Sequence, residues 1–223
     1  ASCSYAARKF GIHSAMPMAR AVKLCPGLII VSSRHGEYGR ISRKVMERLT
    51  TLTPLVEPIS IDEAFLDASS DPRPGEEIAR ELQNSIRDAF KLPNSLGVAS
   101  NKMVAKIANN IGKSSAKTNG PPNAIMVVLP GEEAAFLAPL PVRALWGVGP
   151  RTADLLEGLG IRLVRDLLER PEAELIRHLG VYGGHLVRYA RGIDDSVVEA
   201  DRETKSVSKE TTFAQDVLDP EVL

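Results

Sequence analysis

The pattern of secondary-structure signals changes at Pro130-Gly131, and this change constrains the fold more than any other feature of the chain. Before it, helical spacing of apolar residues alternates with short apolar runs typical of strands, at residues 28–31, 55–67, 96–99 and 124–129. After it, as far as about residue 193, the sequence predicts only short helices interrupted by Gly and Pro. We therefore expect an α+β fold whose mixed sheet includes antiparallel strands, followed by a small all-helical domain.

The overall composition is that of an ordinary globular protein, but its charge is unevenly distributed. The 223 residues carry 28 Lys and Arg against 28 Asp and Glu, and 43% are hydrophobic. Residues 1–50 are rich in Lys and Arg, and residues 101–120 contain four Lys and no acid. Such segregation produces local positive surface that attracts phosphates, although solvated helix faces would give the same pattern. No apolar run approaches the roughly 18 residues that a membrane span requires, so we expect no membrane association.

Two adjacent carboxylates, Asp62 and Glu63, lie among apolar residues that suit a buried hairpin. Carboxylates held this close repel each other unless a cation neutralises them, and Mg²⁺ binds one or two carboxylates together with water and phosphate oxygens. A pair of such ions is the arrangement used for nucleotidyl transfer. By itself the pattern is weak evidence, because most Asp-Glu pairs are turn residues.

A second candidate group is formed by Tyr5 and Arg8, three residues apart on one face of a predicted short helix at residues 4–10. A phenol hydroxyl and a guanidinium placed there could both reach phosphate oxygens, and Arg suits that bidentate geometry. The alternative is a surface helix with Tyr5 packed on the core.

Three segments together resemble the motifs of Y-family (translesion) DNA polymerases of the bacterial type. They are residues 4–12 around Tyr5 and Arg8, residues 60–67 around the acid pair, and residues 97–108, which read GVASNKMVAKIA. The resemblance implies that Asp62 and Glu63 form the catalytic and metal-binding pair, with Mg²⁺ as cofactor and two ions in each intact active site. It also implies that Ser2, Tyr5 and Arg8 contact the triphosphate of an incoming deoxynucleotide.

The same resemblance assigns roles to the lysines of the third segment and of the loop after it. Lys102 and Lys106 are expected to approach DNA phosphates, and a further lysine after the helix is expected to contact the triphosphate. Lys113 keeps the family's distance from the preceding helix. Because the turn here is longer than the family's short Lys-Pro-Asn-Gly type, Lys117 stays open as the alternative.

Residues 140–161 are similar to a helix-hairpin-helix, a motif that binds the DNA backbone. Gly147, Val148 and Gly149 form its expected turn, where backbone N–H groups at a helix N-terminus bind a phosphate without reading sequence. Glycine is expected because a Cβ would block the close approach of the DNA backbone. The motif also occurs in glycosylases, nucleases and ligases, so it indicates a backbone contact and not a particular chemistry.

In the family's terms, we expect residues 1–34 to be part of the fingers, 35–129 the palm without its first strand, 130–193 the thumb, and 194–223 a linker and the start of the little finger. The implied activity is template-directed primer extension, with primer–template DNA and a deoxynucleoside triphosphate as partners. The family's first catalytic Asp is not in the chain. We therefore expect a piece truncated at both ends and inactive by itself.

The family further implies a sliding-clamp partner bound through a C-terminal peptide, a monomeric state and a cytoplasmic location. Two other functions remain open. One is a non-catalytic DNA-binding module that uses the helix-hairpin-helix alone. The other is a helix-hairpin-helix repair enzyme, which would need a catalytic Lys or Asp just after the hairpin, where this chain has Arg151 and Thr152.

Overall fold

A computed structural model describes residues 2–116, 120–201, 206–208, 210 and 213. In chain order, the elements up to residue 129 are α1 (Tyr5–Arg8), α2 (Met18–Leu24), α3 (His35–Thr50), β1 (Val56–Pro58), β2 (Ala64–Leu66), α4 (Gly75–Phe90), β3 (Leu96–Val98), α5 (Lys102–Ser115) and β4 (Ile125–Val127). They are followed by α6 (Glu133–Leu137), α7 (Pro150–Gly158), α8 (Glu172–Leu179) and α9 (Val181–Ala190). The predicted α+β fold with an all-helical second part is confirmed. Among the described helices, none has the length and hydrophobicity to span a membrane.

Within the described residues, the four strands form two small sheets of opposite type. Strands β1 and β2 are an antiparallel hairpin in which Val56 lies opposite Leu66. Strands β3 and β4 are parallel, with Leu96 opposite Ile125, and α5 makes the crossover that a parallel pair requires. The hairpin thus has its turn at residues 59–63, where the sequence places the acid pair.

Helix α5 is shared between the sheet and the helical part of the chain. Its buried residues Met103, Val104 and Ile107 belong to one apolar cluster with side chains of the helical part, which include Leu137, Leu156, Leu167, Leu175 and Leu186. Two smaller clusters lie elsewhere, one around α1 and α2 and one between α3, β1 and α4. This continuous core holds α5 against the helical part. The boundaries expected for fingers, palm, thumb and linker stay a prediction.

Residues 28–31 do not form the buried strand that their apolar side chains predict. Ile29 is 87% exposed and Val31 is 78% exposed, and within the described residues no strand pairs with them. A strand is stabilised by its ladder partner and by burial of a face, neither of which a local apolar run can supply. The prediction was wrong because it rested on propensity alone.

The approach of α5 to β3 depends on Gly97. A Cβ built at this position would lie 1.9 Å from the carbonyl oxygen of Ala105 and 2.5 Å from the backbone nitrogen of Asn109. The strand and the helix therefore touch backbone to backbone. Asn101 begins the helix as its N-cap, since its side chain accepts the Val104 N–H at 3.0 Å.

We expect Gly97→Ala to lower the melting temperature by roughly 5–10 °C, because the rigid backbone of α5 would have to move away from β3. Gly158→Ala is the matched control. Gly158 lies in the last turn of α7, and nothing lies within 4 Å of an added Cβ. Alanine there should leave the melting temperature unchanged or slightly higher. Equal melting temperatures for the two variants would contradict the close contact.

Candidate active site

A cleft of about 1230 Å³ lies between α1, the β1–β2 hairpin, β3 and α5. Among the residues that line it are those the sequence assigns to catalysis and to the triphosphate: Tyr5, Arg8, Asp62, Glu63 and Lys113, together with Lys102 and Lys106. Ser2 is exposed ahead of α1 and does not line the cleft, and neither do Gly147, Val148 and Gly149. The structure therefore brings the acid pair and most of the candidate cations to one place.

The turn that carries the acid pair is held by hydrogen bonds. The N–H groups of Ile59 and Ser60 donate to the carbonyl oxygen of Glu63, at 2.9 and 3.2 Å. The Ser60 hydroxyl donates to Asp62 Oδ1 at 2.6 Å and accepts the Asp62 N–H at 3.2 Å. Ser60 thus orients the Asp62 carboxylate, a role that the sequence reasoning missed. A serine two residues before an aspartate in a turn is the local signal that could have indicated it.

Glu63 is paired with Lys106 across the cleft floor. The Lys106 Nζ lies 2.6 Å from Glu63 Oε2, and the side chains are 17% and 34% exposed, respectively. The ammonium neutralises one of the two adjacent carboxylates, which reduces their mutual repulsion. Lys106 therefore lines the cleft and is bound to one member of the acid pair.

Arg8 and Tyr5 lie together on α1 as their spacing predicts. The guanidinium carbon of Arg8 is 4.8 Å from the centroid of the Tyr5 ring, a cation–π contact that holds the side chain over the ring. Ser4 begins this short helix by accepting the Ala7 N–H at 3.2 Å. Arg8 makes no ion pair within the described residues, and its charge is directed at the cleft without a carboxylate partner.

Lys113 lies in the last turn of α5 and lines the same cleft. Like Arg8, it forms no ion pair in the part of the chain that the structure describes. Lys117, the alternative triphosphate ligand, falls outside the described residues. The choice between the two lysines stays a prediction, with Lys113 placed at the cleft.

Lys102 differs from the other candidate cations because it is enclosed. Its Nζ lies 2.5 Å from Glu57 Oε2, and the two side chains are only 11% and 12% exposed. It also donates to the carbonyl oxygen of Val197 at 3.0 Å. These contacts favour a structural role over the predicted contact with DNA phosphates.

The Gly147–Gly149 turn is tight, and two of its three N–H groups are bonded to nearby carbonyl groups. Gly147 has φ +90°, and the Val148 side chain is buried in the apolar cluster. The Val148 N–H donates to the Leu145 carbonyl and the Gly149 N–H to the Gly147 carbonyl, both at 3.1 Å. Two of the three N–H groups of the turn are therefore already bonded, and further N–H groups for a phosphate lie in the first turn of α7, after Pro150.

The carboxylates of Asp62 and Glu63 fit a divalent cation. Carboxylate oxygens are the hard ligands that Mg²⁺ prefers, and it completes its shell with water and substrate phosphates. Both residues border a cleft that is open to solvent, with cations on its other walls. No cluster of three or more His, Cys, Asp or Glu side chains suited to a metal occurs within the described residues.

Comparison with known proteins identifies relatives over nearly the whole chain. The sequence profile of the impB/mucB/samB family matches residues 1–110, and the profile of the IMS family HHH motif matches residues 130–161. A DNA polymerase IV from Listeria monocytogenes serotype 4b is 42% identical over 100% of this chain and 61% of that protein. DNA polymerase IV of Desulfatibacillum aliphaticivorans is 42% identical over 97% of this chain and 53% of its own length. The chain thus spans less than two thirds of the length of these curated relatives.

Solved structures share the fold. The crystal structure of DinB from Sulfolobus solfataricus is similar with a TM-score of 0.79 at 32% identity, over 88% of this chain and 57% of that chain. An insertion ternary complex of Dbh DNA polymerase also gives a TM-score of 0.79 at 32% identity, over 87% of this chain and 56% of that chain. The arrangement of helices and strands described above is therefore the one found in these polymerases.

We expect Gly147→Ala to lower the melting temperature more than Gly131→Ala does. Both glycines have φ near +90°, which strains any other residue, but only at Gly147 would a Cβ meet the Tyr182 hydroxyl, at 2.9 Å. That hydroxyl is buried without a hydrogen-bond partner among the described residues, and burial raises the pKa of Tyr182. Tyr182→Phe should therefore cost little by itself and should restore part of the stability lost in Gly147→Ala. Equal losses at the two glycines, with no recovery in the double variant, would contradict this packing.

Proposed function

This chain belongs to the impB/mucB/samB family, the Y-family of DNA polymerases, and from that premise we propose that its cleft serves template-directed primer extension of the lesion-bypass type. The reaction adds deoxynucleotides to the 3′ end of a primer. The observation that carries the proposal is the acid pair Asp62-Glu63 on one wall of a cleft whose other walls present Arg8 and Lys113. Acids that could bind metal and cations that could bind phosphate thus share one space large enough for a nucleotide.

Asp62 and Glu63 are the residues that would hold Mg²⁺, two ions per active site in the intact enzyme. The chemistry that Mg²⁺ supplies when bound is positive charge at the attacking 3′ hydroxyl and at the leaving pyrophosphate. Ser60 keeps the Asp62 carboxylate oriented through its 2.6 Å hydrogen bond. Lys106 keeps Glu63 from repelling Asp62 while the site is without substrate.

Arg8 and Lys113 would bind the triphosphate, with the Tyr5 hydroxyl as a further donor. Neither side chain forms an ion pair within the described residues, so both would gain charge-assisted hydrogen bonds when an anion enters. The contact of Arg8 with the Tyr5 ring restricts the guanidinium before the nucleotide arrives, which lowers the entropy lost on binding. Ser2 stays a predicted member of this group.

The helical part would bind duplex DNA by its backbone, through the first turn of α7 at the Gly147–Gly149 hairpin. Relatives with solved structures include a ternary complex of Dbh DNA polymerase, which supports the assignment of primer–template DNA and a nucleotide as partners. A sliding clamp, a monomeric state and a cytoplasmic location are predictions for the whole protein that the family resemblance implies. A DNA-binding module without catalysis is the rival, and duplex binding without primer extension by the full-length protein would favour it.

We expect Asp62→Asn in the full-length protein to reduce the rate of primer extension at least about a hundredfold, because a neutral amide is a far weaker metal ligand. The melting temperature should stay the same, since Asp62 is exposed and its side chain is hydrogen-bonded to the neighbouring Ser60 hydroxyl. Asp88→Asn, an exposed carboxylate on α4 outside the cleft, is the control. Unchanged extension by the Asp62 variant would remove this residue from the mechanism. Primer extension by residues 1–223 alone would contradict the expectation that this stretch is inactive by itself.

We expect Arg8→Met to lower kcat/KM for the incoming nucleotide by about tenfold to a hundredfold, the effect of losing one or more charge-assisted hydrogen bonds. Lys9→Met is the matched control, because Lys9 is the neighbouring cation but does not line the cleft. Steady-state primer extension at varied nucleotide concentration measures both. Equal effects of the two variants would indicate that Arg8 contributes only general positive charge.

A further inference from the structure

The side chain of Lys102 contacts both strands of the β1–β2 hairpin and the segment after the last helix. Its Nζ contacts Glu57 Oε2 in β1 at 2.5 Å and the Val197 carbonyl oxygen at 3.0 Å. It also lies 5.1 Å from the centroid of the Phe65 ring in β2. An ammonium has three N–H donors, and here two are bonded while the remaining face is turned to an aromatic ring. Little of this side chain is left for a DNA phosphate.

The contact continues into the helical part of the chain. The Phe65 ring lies 5.6 Å from the ring of Trp146, at an interplanar angle of 54°. Trp146 immediately precedes Gly147, the first residue of the hairpin turn. The β2 strand that follows the acid pair is thereby packed against the start of the proposed DNA-binding hairpin.

The segment at residues 192–199, after the last helix, is attached to the same place. The Glu199 N–H donates to Glu57 Oε2 at 3.0 Å, so one carboxylate oxygen serves both Glu199 and Lys102. Asp194 accepts the Met103 N–H at 3.0 Å at the start of α5, where a carboxylate is favoured by the helix dipole. Asn101 donates to the Gly192 carbonyl at 2.9 Å. The segment is therefore held to the N-terminus of α5 at several points.

We propose that Lys102 is a positioning residue that fixes three parts relative to one another: the hairpin with the acid pair, the Gly147–Gly149 turn, and residues 192–199. The proposal rests on the function proposed above, since it assigns Lys102 to the alignment of the catalytic and DNA-binding parts rather than to DNA. Its pair with Glu57 is the central contact, because the two side chains are only 11% and 12% exposed and removing Lys102 takes a cation away from a carboxylate that water reaches poorly. We call Lys102, Glu57, Phe65 and Trp146 the Lys102 clasp.

The test uses Trp146 as a reporter, because it is the only Trp of the chain. Lys102→Met keeps the aliphatic stem and removes the charge, and Lys23→Met on α2 is an exposed, charge-matched control. At a temperature well below melting and without DNA, Lys102→Met should increase acrylamide quenching of Trp146 and shift its emission to the red. Amide exchange of residues 192–199 should become faster. Lys102→Arg should restore part of both signals.

The salt dependence of duplex binding distinguishes a positioning role of Lys102 from a direct contact between Lys102 and a DNA phosphate. A lost phosphate contact lowers the slope of log affinity against log salt by roughly one, whereas a misaligned site weakens binding without changing the slope. We expect Lys102→Met to weaken duplex binding with an unchanged slope. A slope reduced by one, with unchanged Trp146 emission and amide exchange, would overturn the proposal. The fluorescence and exchange measurements need no DNA or nucleotide, so they can fail while the proposed polymerase function stands.

If Lys102→Met does not fold, the double variant Glu57→Met/Lys102→Met replaces it. Removing both members of an enclosed pair is tolerated better than removing one, because no buried charge is left unpaired. In the folded double variant the Glu199 N–H has lost its acceptor, so exchange at residues 192–199 should still be faster than in the parent protein. Exchange and Trp146 quenching equal to those of the parent would refute the clasp.

Discussion

The backbone contact between β3 and α5 at Gly97 is the constraint on which the site depends. Because no side chain separates the strand from the helix, α5 lies directly on the sheet, and its opposite face enters the core of the helical part. One helix therefore carries groups for both parts of the chain. Its N-terminus holds residues 192–199, its middle contributes Lys106 to the acid pair, and its last turn places Lys113 at the cleft. A shift of α5 would move all of these together.

Two ion pairs join α5 to the β1–β2 hairpin, and their different exposure suits different roles. Lys102 and Lys106 are four residues apart, so they lie on the same face of the helix, and their partners Glu57 and Glu63 lie on the same hairpin. The side chains of the Glu57 pair are only 11% and 12% exposed, so removing Lys102 takes a cation away from a carboxylate that water reaches poorly. The Glu63 pair opens to the cleft, where water can solvate either charge. We infer that the first pair holds the hairpin in place while the second can rearrange when substrate enters.

The sequence predicted those elements that are determined by residues close together in the chain. The alternating helices and strands and the hairpin with Asp62 and Glu63 at its turn follow from neighbouring residues, and the structure has both of these features. The strand prediction failed where a distant partner decides, because residues 28–31 have strand propensity but no strand beside them within the described residues. The contact of Lys102 with DNA stays a prediction, and its contacts with Glu57 and Val197, which are far apart in sequence, weigh against it. A lysine in a basic segment does not reveal which acid it will meet.

The pairing of the lysines also explains how a chain with zero net charge could attract a triphosphate. Within the described residues, Lys102 and Lys106 are neutralised by hairpin acids, whereas Arg8 and Lys113 border the cleft without a carboxylate partner. An entering anion responds to the local excess of cations that have no acid partner among the described residues, because a concave surface lined by one sign of charge concentrates the electric field. The acids of the hairpin therefore have two effects. They hold α5 in place through two lysines, and they leave the charges of Arg8 and Lys113 as the ones available to phosphate.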